Sequence, residues 1–196
     1  MRSILLGFLV ERYDPRDQTF HIAENQFMSL THNDVHLILG LRNSGVIIEP
    51  DEGVTTTSVA HICNNITNEG FTILSLEDEI KSQIGVTNDF IRRVVLHILG
   101  TFLIPVSTTH VPLSYYNMVR RITTIGNINW NELTLGFLRA NLNLYKEGSY
   151  VGAWPPGNLA LLQVHFICNT LFFVACVSQS NAIKLICSTA TGKKSV

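Results

Sequence analysis

His32 and His36 are the residues whose type and spacing come nearest to metal chemistry: four apart on a helix, they share one face, as two zinc ligands do. The zinc-protease pattern places a glutamate directly after the first histidine to act as general base, and here Asn33 stands in that position. No third histidine or carboxylate is tied to the pair by spacing, so both are expected at the solvent edge of a short helix. His97 and His165 fall within apolar helical stretches and are expected as core-edge histidines with one hydrogen bond each. Cys63 or Cys168 can be matched with any of seven histidines to sketch a nucleophilic couple. A pairing that free carries no signal. Gly148–Gly157 has prolines and a spacing unlike a phosphate-cradling loop. The expectation is therefore no catalytic residue, no metal ligand set and no cofactor.

The elements that position these residues are mostly helical by pattern. Thr31 with Asp34 three residues on resembles a capping box, Val35, Ile38 and Leu39 give an inner face, and Gly40 suits a left-handed stop. Residues 3–12 predict a short helix, and Tyr13–Asp17 is turn chemistry. Thr19–Ile22 alternates as a short strand whose hairpin partner is Gln26–Leu30, across Glu24 and Asn25. Gly53–Asn68 reads as a loop with one helical turn, and Ser75 opens a helix that ends at Gly85.

Asn88–Pro105 is expected as the organising helix. Phe90, Val94, Ile98 and Phe102 form one apolar stripe, with Ile91, Val95, Leu99 and Leu103 beside it. Arg93 and His97 are placed on the opposite, wet side. Val106–Val111 is expected to be an extended crossing, followed by a helix from Leu113 to Ile122. Asn129 and Glu132 signal a further helix start, with Trp130, Leu133, Phe137, Leu138, Asn141 and Tyr145 in line and Gly148 at the end. Leu159–Val177 is apolar on every side, which means buried core or membrane. At 1.5 Å per residue it spans roughly 28 Å, barely the ~30 Å of hydrocarbon, and Gln163, His165 and Asn169 interrupt it. Core is the favoured reading.

Composition excludes other classes. Charged residues make up only 15% of the 196, against ~25% in ordinary soluble domains, so part of this surface is expected to be covered. The formal charge of −1 gives no basic field, and the pairs Arg92-Arg93, Arg120-Arg121 and Lys193-Lys194 are not interleaved with aromatics. Direct nucleic-acid contact is not expected. Met1–Val10 imitates a signal peptide faintly, but Glu11-Arg12 falls where a cleavage site would lie. Cys63, Cys168, Cys176 and Cys187 form no CxxC pair and are expected as reduced structural thiols.

Several stretches in order resemble one family: Leu30–Leu41, with its T-x-x-D-V-H-x-I-L-G-L string, then Phe102–Pro105, Ile128–Leu133 and Gly157–Gln163. They are similar to the plant mobile domain, the helical domain of plant transposon-derived proteins. That domain also stands in front of transposon-carried proteases specific for ubiquitin-like proteins. The resemblance covers residues 9–167 and implies a helical domain there; with the short N-terminal β-hairpin that the strand pattern adds, a mainly α multi-helix fold is expected, and residues 168–196 depart from the family as an atypical tail. It further implies a non-enzymatic interaction module with protein partners, a nuclear location in preference to a cytoplasmic one, and a link to transposon silencing or development. The rival expectations are the non-catalytic front of such a cysteine protease and a small membrane-anchored protein.

Overall fold

The computed structural model describes residues 2–106, 108–150 and 152–171. Helix α1 (Arg2–Glu11) leads into an antiparallel sheet of β1 (Tyr13–Asp14), β2 (Thr19–Ala23) and β3 (Gln26–Ser29), in that spatial order. Asn25, at φ 56°, turns the β2–β3 hairpin. Helix α2 (His32–Leu39) follows with both ends satisfied: Thr31 and Asp34 form a reciprocal capping box, and Gly40, at φ 71°, donates back to His36 O.

Next come the single turn α3 (Thr56–Val59), β4 (Ile66–Thr67), β5 (Gly70–Thr72), α4 (Ile73–Ser82) and α5 (Asn88–Ile98). Residues Leu99–Leu103 extend α5 as a π-helix, closed by Ile104 N–H donating to Leu99 O at 2.9 Å. Strand β6 (His110–Val111) pairs with β5, completing a second antiparallel sheet, β4-β5-β6. A 3-10 turn then leads to α6 (Tyr116–Val119), α7 (Ile122–Ile125) and α8 (Trp130–Lys146). Helix α9 follows, described over residues 159–171.

Among the described residues the fold is thus mainly helical, with two small sheets rather than one hairpin. The second sheet was not expected, because its strands are two or three residues long and carry no alternation. Close approach fixes it instead. Gly70 runs at φ 140°, and a Cβ there would lie 2.1 Å from Val111 O across the β5–β6 pair.

Among the described residues there are two apolar cores. The first gathers Ile62, Phe71, Leu76, Leu96, Leu99 and Met118; the second gathers Leu9, Phe20, Val35, Leu135, Leu138 and Leu161. Helix α8 serves both: Trp130, Leu133 and Phe137 pack on the first, and Leu135, Leu138 and Leu142 belong to the second. It therefore joins the molecule, a role the sequence assigned to α5. Helix α5 packs between α4 on one side and α6 and α7 on another, within the first core.

The face of α5 also differs from expectation. Its inner positions are Arg93, Leu96, Leu99, Gly100 and Leu103, whereas Ile98 and Phe102 stay 41% and 46% exposed. Arg93 is buried because its partners are. It donates to the Ile62 carbonyl and to Gln83 Oε1 (2.9 Å), and pairs with Glu79 at 3.6 Å. Packing around the guanidinium outweighed the simple rule that arginine faces water. His97, expected on the same wet side, is only partly exposed, and its Nδ1 is buried with no hydrogen-bond partner among the described residues.

Helix α9 buries Leu161, Leu162 and His165 and exposes Val164, Ile167 and Leu171. It is buried on one side only, and its exposed side is apolar as well. Among the described residues no helix is long and apolar enough to cross a membrane. The part of the apolar run beyond residue 171, and the expectations for the tail after it, lie outside the described residues.

Candidate functional site

A groove of about 860 Å³ lies between β3, the start of α2 and α9. The β2–β3 register sets its wall. His21 N–H donates to Arg12 O at 2.9 Å, so the His21 amide faces β1. Its cross-strand partner on β3 is Phe27, which therefore turns its own N–H and C=O away from β2. Ser29, two residues on, has the same orientation. Its carbonyl accepts from His165 Nε2 at 3.1 Å. Among the described residues β3 is an edge strand, and its free backbone groups line the groove.

His165 holds this wall to α9. With a carbonyl as the partner of Nε2, that nitrogen carries a proton. Asn169 Nδ2 lies 3.2 Å from Nδ1, and Asp34 Oδ1 lies 3.7 Å away. The other Asp34 oxygen caps α2, accepting from Thr31 N–H (2.8 Å) and hydroxyl (2.5 Å). Both histidine nitrogens are thus engaged, and of the lining hydroxyls Thr31 is bound to Asp34 and Thr170 donates to Phe166 O. Acid–base work by His165 would require breaking bonds that hold the groove together. Phe27, 61% exposed, with its ring edge-on to His21, stands at the open side.

His32 and His36 sit elsewhere, at a small polar hollow with Asn33 and Arg42. The amide of Asn131 donates to His32 O and Leu41 O, both at 2.9 Å, so its Oδ1 accepts from His32 Nδ1 (3.1 Å). His32 Nε2 meets Glu132 Oε2 at 3.3 Å, and His36 Nδ1 bonds Leu41 O at 3.1 Å. The cluster latches α2 to α8. Asn131, fully buried, is the residue that sequence inspection missed; it stands among other polar residues of α8, and nothing within the helix marks it as buried.

Among the described residues, one trio brings a ligand atom each within 4.8 Å: Asp14, Asp17 and His21. The carboxylates there already serve the β1–β2 turn. Arg16 holds Asp14 from two nitrogens, at 2.7 and 3.1 Å, which keeps that carboxyl well below the usual range. Asp17 accepts from Thr19 N–H and hydroxyl. Cys63 is a buried thiol donating to Ser75 Oγ at 3.0 Å, whereas Cys168 is an exposed free thiol; Cys176 and Cys187 lie outside the described residues.

A family model matches residues 1–163, and its description is Domain of unknown function (DUF8566). The chain belongs to the DUF8566 family. That match replaces the resemblance to the plant mobile domain, which is incorrect. The string that carried it has a local cause. Thr31, Asp34 and Gly40 are what a two-turn helix with a capping box and a left-handed stop requires, in any family. Asn129, whose side chain accepts from Glu132 N–H, is likewise a cap. The DUF8566 match takes in β3 and α2 and ends within α9, just before His165. No curated protein and no solved structure matches the chain.

Proposed function

We propose that this protein is a non-enzymatic interaction module that holds a segment of a partner protein in the groove between β3 and α9. The observation that supports it most is that the groove combines an open sheet edge and an exposed aromatic with a histidine already committed to structural bonds. Such a surface offers contact and no poised base. At about 860 Å³, the groove is within the ~300–1,000 Å³ of binding clefts, enough for several side chains of a peptide.

The test is selection of random dodecapeptides displayed on phage against the full chain. Enriched peptides should bind the wild type and the Val164→Trp variant, whose change is on the exposed face of α9. They should lose at least tenfold in affinity to Thr170→Trp, which fills the groove. Equal binding to the two tryptophan variants would place the contact elsewhere. Turnover of ester, phosphoester or peptide substrates, abolished by His165→Asn, would overturn the non-enzymatic part.

A further inference from the structure

The backbone of the groove wall specifies how a partner is held. Phe27 N–H and C=O and Ser29 N–H point away from β2, and no described residue bonds them. The next outward group, Ser29 C=O, is taken by His165. Three adjacent groups in donor–acceptor–donor order are what an incoming extended chain pairs with, and the histidine stops the ladder on one side. A helix in the groove would leave all three unpaired, at the cost of buried polar groups without partners.

We infer that β3 binds its partner by strand addition: an extended peptide pairs its backbone with Phe27 and Ser29 and becomes the fourth strand of the N-terminal sheet. This rests on the groove being the interaction site. Side-chain chemistry narrows the peptide. The residue paired with Phe27 lies on the same face as that exposed ring, which favours an aromatic or β-branched side chain. Its neighbours turn to the other face. The groove's ionisable groups are Asp34 and His165, with no lysine or arginine among the described lining residues. Charge complementarity therefore selects a peptide with lysine or arginine beside the apolar residue.

The test takes the peptides enriched by the phage selection and synthesises each with a single N-methyl group at successive positions. Loss of affinity should alternate: at least tenfold where the amide faces β3, and less than twofold at the next residue. Ser29→Pro removes one outward N–H without touching a β2–β3 bond, and should weaken binding at least fivefold with an unchanged melting temperature. Amide exchange at Phe27 and Ser29 in the wild type should slow on binding. Peptides that are blocked by Thr170→Trp yet indifferent to every N-methyl group would overturn strand addition while leaving the groove as the site. A selection that enriches nothing would overturn both.

Discussion

Replacing Arg93 by alanine separates the folded arrangement from a simple helical projection. On the wet side of α5 the change would cost ~0.5 kcal/mol or less. In the fold, the guanidinium side chain is 10% exposed and bridges three elements: the loop carbonyl of Ile62, Gln83 after α4, and Glu79 on α4. Alanine leaves the Ile62 carbonyl without its side-chain donor, and a charge-assisted bond of that kind contributes about 1.5–3 kcal/mol. It also leaves Glu79, 19% exposed at its side chain, with Asn64 but no cation. Breaking a fully buried pair costs about 3–5 kcal/mol, and the remaining water at Glu79 lowers that share. The expected loss is ~2–4 kcal/mol. Lysine, which keeps the charge but not the planar fork, should fall between alanine and wild type. Urea unfolding followed by circular dichroism measures the difference. A midpoint within error of wild type for Arg93→Ala would refute the burial of this side chain.

Two further outcomes follow from single buried groups. Tyr115 is buried, its hydroxyl donates to Ile104 O at 3.2 Å, and burial pushes its pKa up from the ordinary 10.0. The folded state therefore retains a proton that the unfolded chain releases. The tyrosine's share of stability is complete below about pH 10 and falls as pH rises above it, so Tyr115→Phe should flatten the alkaline decline in melting temperature. Thr134 is fully buried and its hydroxyl has no hydrogen-bond partner among the described residues. Thr134→Val should raise stability by about 1 kcal/mol in the same urea assay, and a loss would mean that the hydroxyl is bonded.

Local chemistry in the sequence located helix ends well, because caps are decided by a few adjacent residues. Thr31 and Asp34, Asn129 and Gly148 all act where their types predict. The β2–β3 hairpin was legible for the same reason. Faces were less legible: Arg93 turns inward for partners on the segment before β4 and at the end of α4, and Asn131 is buried by bonds to α2. Neither cause lies within a helical window. The groove was not legible at all, since it depends on which side of β3 is left open and on His165 crossing 136 residues to Ser29. The same local chemistry produced the mistaken family resemblance. Cap residues recur because helices need them, so a string built from them identifies a helix better than it identifies a lineage.

The central claim, that the groove beside β3 is where this protein meets its partner, is tested most directly by amide chemical-shift mapping of the full chain. The spectrum is recorded with and without a phage-selected peptide. The expected shifts concentrate at Phe27, Ser29, Asn169 and Thr170, with α5 unaffected. Shifts centred instead on the exposed stripe of Ile98 and Phe102, with β3 unchanged, would contradict it.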